Sequence, residues 1–333
     1  MANETTRVSV VIPTYNRAHL LAGAIESVLA QTYGGFDLLV LDNASTDETA
    51  DVVGSYADDR LTYVRRPANV GLFANFQDSL KHVETEYSLI LCDDDLLLPE
   101  FLDATVGVLD RQPRTGMVHT AFAVLDGNGD VVEERADWTG GLTEDTVEPS
   151  QDFLAESMRW GCRVCSSAAL MRTTALPADL FEEGDFPAID FGLWLRMALD
   201  WDIAYVARPL AAYRIHATSE SAGLGVPLAA GYRTGVAWVD QRAGVKARFL
   251  AGHAARLPNR AELARLAQRG RRFELVMMVR KATLPDRRLL PTLRSLAVAT
   301  RADPRVLADP AAWRLAAASL LGPRVVERIR GRA

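Results

Sequence analysis

The sequence has few cysteines, and their spacing does not suit a disulfide-bonded fold. Its 333 residues include 3 cysteines, Cys92, Cys162 and Cys165, too few for a disulfide framework. Cys162 and Cys165 form a CxxC, but no second pair of cysteines or nearby pair of histidines completes a zinc site. We therefore interpret both as buried small side chains.

Long hydrophobic runs are also missing. No stretch of 18 or more apolar residues could span a bilayer, although 49% of the residues are hydrophobic. The first ten residues, MANETTRVSV, lack the basic and then apolar pattern of a secretory signal. We expect a cytoplasmic protein.

Glycine-rich phosphate loops are absent as well. Neither GxxxxGK[ST] nor GxGxxG occurs in the sequence, and these are the loops that usually hold phosphate groups through backbone N–H groups. A bound diphosphate would then need a metal ion instead.

Charge is distributed very unevenly. Residues 1–221 contain 15 Lys and Arg against 36 Asp and Glu, whereas residues 222–333 contain 22 against 7. An asymmetry of this size suggests that the basic part meets an anionic partner.

The first part of the chain alternates between two periodicities. Short apolar runs predict strands over residues 8–12, 37–41, 60–64 and 87–91, and helical spacing separates them over residues 18–31, 46–56 and 71–83. This alternation predicts an α/β fold with a mostly parallel sheet, in which ligands bind beyond the carboxyl ends of the strands.

Beyond residue 112 the pattern is mixed. Strands are predicted over 116–125, 166–171, 203–206 and 210–214, a hairpin turn over 126–129, and helices over 150–158 and 191–199. Residues 219–225, rich in Gly and Ser, suggest a linker, and only helices are predicted after it.

Three consecutive aspartates follow the fourth strand, in LILCDDDLLLPE. Adjacent carboxylates repel one another, so Asp93, Asp94 and Asp95 suggest a site for a divalent cation. Carboxylate oxygens suit Mg²⁺ or Mn²⁺. The alternative is that the triplet caps the helix predicted near Pro99, for which one acid would be enough.

Four motifs resemble one enzyme family when they are read in order. VSVVIPTYNR, LVLDNASTDET, NVGLFANFQDSL and LCDDDLLLPEFL look like the nucleotide-sugar-binding half of the family 2 glycosyltransferases, which have the GT-A fold. The resemblance is close over residues 7–105 and looser up to 221. It implies a catalytic domain at 1–221, with a nucleotide-sugar-binding half at 1–112 and an acceptor-binding half at 113–221, followed by a basic helical region at 222–333.

The resemblance also implies a set of ligand contacts. The expected nucleotide-sugar contacts are Pro13, Tyr15, Asn16, Arg17, Asp42, Asn69, Gly71, Asn75, Asp93 and Arg214. A carboxylate such as Asp42 can accept the imide N–H of uracil or thymine. For Asn69 and Gly71 the alternative is an ordinary turn and helix N-cap.

The family often has Asp-x-Asp-Asp where this chain has Cys92 in the first position. The resemblance then implies Asp93 on ribose or donor sugar and Asp94 on Mg²⁺ or Mn²⁺. His216 is expected as a second metal ligand and Asp95 is a further candidate.

An inverting transfer needs a base for the acceptor hydroxyl. The resemblance points to Asp190 in FPAIDFGLWLR, where Ile189 replaces an expected acid. A helix N-terminus favours an ionised carboxylate. The alternatives are a plain N-cap role for Asp190, and Asp185 as the base.

We therefore expect an inverting glycosyltransferase that uses a UDP-, dTDP- or GDP-sugar and a glycan, lipid-linked or small-molecule acceptor. The rival functions are a sugar-nucleotide nucleotidyltransferase and a non-catalytic nucleotide-sugar-binding module. The basic region either lies on an anionic membrane surface, which would make the protein peripheral, or packs on the acidic domain, within one chain or across a homodimer. Nucleic acid is not expected, because no recognition motif accompanies the arginines.

Overall fold

The structure, a computed structural model, describes residues 5–81, 83–136, 138–216, 232–283 and 289–308. The chain divides into two compact units. The first comprises Met1–Ser157 and Cys162–Ile215, and the second comprises Met158–Gly161 and His216–Ala333. The predicted domain boundary at residue 221 and the predicted linker lie outside the described residues.

The first unit is built on one mixed sheet with helices. Among the described residues its strands are β1 (Val8–Thr14), β2 (Phe36–Asp42), β3 (Leu61–Arg65), β4 (Tyr87–Ile90), β5 (Leu96–Leu97), β6 (Thr115–Leu125), β7 (Val131–Ala136), β8 (Thr146–Glu148), β9 (Ala169–Arg172) and β10 (Asp202–Arg214). Its helices are α1 (Ala18–Leu29), α2 (Thr49–Gly54), α3 (Leu72–Asp78), α4 (Phe101–Arg111), α5 (Ser150–Trp160), of which the residues from Met158 onward are assigned to the second unit, and α6 (Ile189–Met197).

The strand order places several predicted ligand contacts at the carboxyl ends of neighbouring parallel strands. The order is β3-β2-β1-β4-β9-β6-β10-β5, with β7 paired to β6 and β8 to β10. Strands β1 to β4 are parallel, and every residue of β1 and β4 is buried, as the continuous apolar runs predict. Thr14 is in register with Asp42, and β4 ends just before the aspartate triplet. The predicted α/β sheet is confirmed, with antiparallel pairs in its later part.

Strand β10 corrects one prediction. The two short strands predicted at 203–206 and 210–214 form a single strand, Asp202–Arg214, that pairs with β6 along its length. The register shifts between Val206 and Pro209. Proline has no N–H to donate to a neighbouring strand, which accounts for an irregularity at Pro209.

The aspartate triplet does not cap a helix. Helix α4 begins at Phe101, and its N-cap residue is Glu100, which makes no side-chain capping bond. Strand β5 lies between the triplet and this helix and pairs with Ala211 and Ala212 of β10. That pairing brings the end of β10 beside the aspartates.

The second unit is helical in its described part. Its helices are α7 (Tyr232–Gly252), α8 (Arg260–Thr283) and α9 (Leu289–Ala302). They share a small core of Val239, Leu275, Val276, Ala299 and Val306. No helix among the described residues is long and apolar enough to cross a bilayer.

Several basic side chains of this unit have acidic partners within it. The buried carboxylate of Glu274 contacts Arg242 at 2.8 Å and Lys246 at 3.3 Å. Arg271 contacts Asp240 at 2.6 Å. The side chains of the other basic clusters lie outside the described residues, namely Arg280-Lys281, Arg287-Arg288 and the arginines from Arg324 to Arg332.

Candidate active site

The three aspartates lie in a buried turn directly beyond β4. Their exposed fractions are 6% for Asp93, 9% for Asp94 and 1% for Asp95. Three adjacent carboxyl groups with so little access to water need hydrogen-bond donors or positive charge close by. Each of the three meets this need differently.

Asp93 is held from the end of β1. The hydroxyl of Thr14 donates to its Oδ2 at 2.7 Å, and Nη1 of Arg17 lies 3.2 Å from its Oδ1. Burial raises the pKa of Asp93 to about 6, even though the positive charge of Arg17 acts to lower it. Thr14 was not among the predicted site residues.

Asp94 shares the same guanidinium. Nη1 of Arg17 lies 3.1 Å from Asp94 Oδ2, so one nitrogen contacts both carboxylates. The peptide oxygen of Asp94 accepts a hydrogen bond from Nε of Arg214 at 2.9 Å. The structure thus brings together Arg17, Asp93, Asp94 and Arg214, four residues predicted from widely separated motifs.

Asp95 contacts β10 and the short helix Ser166–Ala168. Its Oδ2 accepts a hydrogen bond from the Ser167 hydroxyl at 2.6 Å, and its Oδ1 accepts one from the Arg214 N–H at 2.8 Å. Burial, followed by the charge of Asp94, raises its pKa well above the usual range. These contacts show that Asp95 anchors the end of β10 to the turn after β4.

The side chains here fit a divalent cation. Among the described residues, Cys92, Asp94 and Asp95 can bring one ligand atom each to within 4.8 Å of one another. Burial raises the pKa of the Cys92 thiol well above its usual range, and a protonated thiol is a poor ligand for Mg²⁺ or Mn²⁺. The carboxylate oxygens suit these ions. Metal binding by Asp94 stays a prediction.

Asp42 lies at the end of β2 and is completely buried. Its Oδ2 accepts a hydrogen bond from the Tyr63 hydroxyl at 2.6 Å, and its Oδ1 accepts one from the N–H of Ser45 at 2.8 Å. Nε of Arg65 is 3.4 Å from Oδ2. The carboxylate is therefore fixed in orientation by residues that sequence reasoning missed.

Asn43 fixes the loop that carries Asn69 and Gly71. Its Nδ2 donates to Asn69 Oδ1 at 2.9 Å, and its Oδ1 accepts from the N–H of Val70 at 2.9 Å. Gly71 is the N-cap of α3 with φ of 85°, a conformation that favours glycine. The alternative of a turn and N-cap describes this backbone correctly, and a role in ligand binding stays a prediction.

Asn75 is buried within α3 and serves as a bridge. Its Oδ1 accepts a hydrogen bond from Nε of Arg66 at 2.8 Å, and its Nδ2 donates to the Leu41 oxygen at 3.3 Å. These contacts hold α3 against the end of β2. No contact to a ligand is needed to explain its burial.

The loop after β1 presents residues to solvent above this edge. Pro13 is buried, whereas Tyr15 is 42% exposed. Asn16 has a positive φ of 53°, and its Oδ1 accepts a hydrogen bond from the N–H of Thr46 at 2.7 Å. This bond ties the loop after β1 to the loop after β2 and holds Tyr15 and Asn16 near the carboxyl ends of these two strands.

Asp190 lies in the first turn of α6 and is partly exposed. The N-cap is Ala188, which rules out the plain N-cap alternative. Oδ1 of Asp190 accepts the N–H of Phe191 at 2.7 Å, and the Cys162 sulfur is 4.0 Å from Oδ2. Its role as a base stays a prediction.

The reserve candidate, Asp185, has a different environment. It is 2% exposed, and its Oδ2 lies 3.3 Å from Nη1 of Arg196. A buried carboxylate in an ion pair is poorly placed to receive a proton from a substrate. Asp190 is therefore the better candidate.

A short segment from Cys162 to Ser167 links the two groups of carboxylates. Cys162 contacts Asp190, and Ser167 bonds to both Asp95 and the N–H of Cys92. Between them, burial raises the pKa of Cys165, and the charges of Asp95 and Asp190 raise it further. Asp190 and the turn of Asp93, Asp94 and Asp95, called the aspartate turn below, thus flank this segment. Apart from the CxxC itself, no sequence motif predicted this connection.

His216 follows β10 by two residues and is the first residue of the second unit's later segment. Arg214, another predicted contact, belongs to the first unit and bonds to Asp94 and Asp95. The predicted contact of His216 with a metal stays a prediction.

Comparison with known proteins gives a consistent result. Residues 9–170 match the model of "Glycosyl transferase family 2". The putative glycosyltransferase EpsE of Bacillus subtilis is 33% identical over 127 residues, covering 37% of this chain and 46% of that protein. The chain therefore spans about half the length of this relative.

Two further proteins extend the comparison. The Escherichia coli protein WfgD, named a UDP-Glc:alpha-D-GlcNAc-diphosphoundecaprenol beta-1,3-glucosyltransferase, is 25% identical over 203 residues, covering 60% of this chain and 72% of WfgD. The mannosyltransferase PcManGT of Pyrobaculum calidifontis, solved with GDP-Man and Mn²⁺, has a TM-score of 0.52 and 20% identity, covering 96% of this chain and 81% of PcManGT. The structural similarity to PcManGT supports the predicted GT-A fold.

Proposed function

Because this chain belongs to glycosyl transferase family 2 through residues 9–170, we propose that it transfers a sugar from a nucleoside-diphosphate-sugar to an acceptor hydroxyl with inversion. One observation carries the proposal. The aspartate turn and Asp190 flank the same short segment around Cys165. The carboxylates of the aspartate turn can hold the donor, while the carboxylate of Asp190 contacts the acceptor.

The donor is held at the carboxyl edge of the sheet. Asp42 at the end of β2 is the acceptor that we assign to the base, and binding requires its completely buried carboxylate to become accessible; Tyr15, 42% exposed in the neighbouring loop, is assigned to the nucleoside. Asp94 would hold a divalent cation, which when bound would supply positive charge to offset that of the diphosphate leaving group. Asp93, bonded to Thr14, faces the ribose or donor sugar.

Asp190 acts as the general base. Its partly exposed carboxylate accepts the proton of the acceptor hydroxyl while that oxygen attacks the anomeric carbon, and the nucleoside diphosphate departs from the opposite face. One C–O bond forms and one breaks, which inverts the anomeric centre. General base catalysis of this kind contributes about 10²- to 10⁴-fold to the rate.

A lipid-linked sugar is the acceptor class that we favour. WfgD is named for a diphosphoundecaprenol acceptor, and residues 222–333 carry 22 Lys and Arg. Basic helices bind anionic membrane surfaces, with each basic residue contributing about 1 kcal/mol. We propose that the protein works peripherally on the cytoplasmic face of such a membrane.

The test is a transfer assay with UDP-, dTDP- and GDP-sugars and Mn²⁺, using soluble and lipid-linked acceptors. Proton NMR of the product gives its anomeric configuration, which we expect to be inverted. Asp190→Asn should lower kcat at least 100-fold, whereas Asp179→Asn, at an exposed site, should not. A product that retains the donor configuration would contradict the proposal.

Two other outcomes would identify the rival functions. Donor binding without turnover for every acceptor would indicate a binding module. Release of pyrophosphate from a nucleoside triphosphate and a sugar phosphate would indicate a nucleotidyltransferase.

A further inference from the structure

Arg17 places a positive charge between two of the aspartates. Its Nη1 is 3.2 Å from Asp93 Oδ1 and 3.1 Å from Asp94 Oδ2, and the Arg17 side chain is 21% exposed. Because the aspartate side chains are only 8% and 10% exposed, water screens these ion pairs poorly. The guanidinium therefore offsets much of the repulsion between the carboxylates of Asp93 and Asp94.

A divalent cation on Asp94 would need the same space. Mg²⁺ and Mn²⁺ bind carboxylate oxygens at about 2.1 Å. An ion at that distance from Asp94 Oδ2 would lie within a few ångströms of Nη1, where two positive charges repel each other in a site of low dielectric. Arg17 in its present position would therefore disfavour a cation on this oxygen of Asp94.

The backbone around Arg17 is fixed, so the side chain is the part that can move. Asn16 is bonded to the N–H of Thr46, and the N–H of Ala18 donates to Asp47 Oδ2 at 2.9 Å. Arg17 directly precedes α1. A rotation of its side chain keeps the guanidinium within reach of an anion bound at the same edge.

We propose that Arg17 is an internal counter-ion that competes with the cation for Asp94, and that a diphosphate relieves this competition by accepting the guanidinium on its phosphate oxygens. The inference rests on the proposed function, since that function supplies the diphosphate. Guanidinium groups pair well with phosphate oxygens. The cation and the nucleotide therefore bind cooperatively, and each raises the affinity for the other by the same factor.

The experiment measures Mn²⁺ binding to the full chain, by electron paramagnetic resonance of free Mn²⁺, with and without UDP. Arg17→Met removes the charge and keeps the length of the side chain. We expect it to bind Mn²⁺ alone about tenfold more tightly than the wild type, within the range usual for coupled sites. The factor by which UDP increases Mn²⁺ affinity should shrink correspondingly.

Two variants control this result. Arg60→Met removes a positive charge that pairs with Asp58, away from the aspartate turn, and should leave Mn²⁺ affinity within twofold. Arg17→Lys keeps the charge and should stay within threefold of the wild type. Circular dichroism melting confirms that each variant is folded.

Unchanged or weaker binding of Mn²⁺ alone by Arg17→Met would overturn the inference, as would a lysine variant that behaves like the methionine variant. Failure of the proposed function looks different. If none of UDP, dTDP and GDP binds the wild type with Mn²⁺, the proposed function fails, whereas the comparison in Mn²⁺ alone still decides whether Arg17 competes with the cation.

Discussion

Ser167 makes a specific prediction, because one buried hydroxyl joins two parts of the site. It is 1% exposed, donates to Asp95 Oδ2 at 2.6 Å and accepts from the N–H of Cys92 at 3.2 Å. Ser167→Ala removes both bonds and creates almost no cavity. The effect on stability should therefore come from hydrogen bonding alone.

The magnitude follows from the two bonds. A buried hydrogen bond to a carboxyl group contributes about 1 to 1.5 kcal/mol, and leaving the Cys92 N–H without its partner costs about 1 kcal/mol more. We expect Ser167→Ala to lower the free energy of unfolding by about 2 kcal/mol. Nucleotide-sugar affinity should fall too, since Asp95 also holds the Arg214 N–H at the end of β10.

Urea denaturation at constant pH measures the change, provided that the slope with denaturant stays the same. Ser166→Ala is the matched control, because Ser166 lies in the same short helix and makes neither contact. It should change stability by less than about 0.5 kcal/mol. If Ser167→Ala were as stable as Ser166→Ala, the described connection between Asp95 and the segment around Cys165 would be wrong.

Three other substitutions probe separate parts of the first unit. His119 is buried, and burial lowers its pKa to about 3. Because the unfolded chain takes up this proton near pH 6.5 and the folded protein does not, the free energy of unfolding falls as the pH drops below about 6.5. In urea titrations, the free energy of unfolding of His119→Phe should fall by about 3 kcal/mol less than that of the wild type between pH 7 and pH 4. An equal loss in both proteins would contradict this. Cys92→Asp, which restores the commoner family pattern, should lower the free energy of unfolding by about 3 kcal/mol because it adds a carboxylate beside Asp94 and Asp95. Cys92→Ser should lower it far less. Equal melting temperatures for these two variants would refute this prediction. Asn43→Ala should weaken UDP binding about tenfold in calorimetry by releasing the loop after β3, and unchanged affinity would show that this loop does not serve the nucleotide.

The early strands of the sheet were predictable because burial on both faces imposes a continuous apolar run. Val8–Thr14 and Tyr87–Ile90 are such runs, and both strands are entirely buried. Their parallel pairing then brings Asp42 and the aspartate turn to one edge, whatever their distance along the chain. Strand β10 was predicted in two pieces because Pro209 interrupts its pattern, while its pairing with β6 is a tertiary effect.

The candidate site was predictable only where a motif is local. Arg17 and Asp93 belong to recognisable motifs, but nothing in either motif shows that one guanidinium contacts two carboxylates. Ser167 and Tyr63 were missed because their importance comes from a partner distant in sequence, Asp95 and Asp42 respectively. Single serines and tyrosines carry no pattern that reveals such a partner.

The proposed function depends on Asp94 holding a cation that in turn holds a nucleoside diphosphate. Calorimetric titration with UDP, dTDP and GDP, with and without Mn²⁺, tests it most directly when wild type and Asp94→Ala are compared. At least one nucleotide should bind the wild type much more tightly with Mn²⁺, and Asp94→Ala should abolish this gain. Binding that ignores Mn²⁺, or that survives Asp94→Ala unchanged, would contradict it.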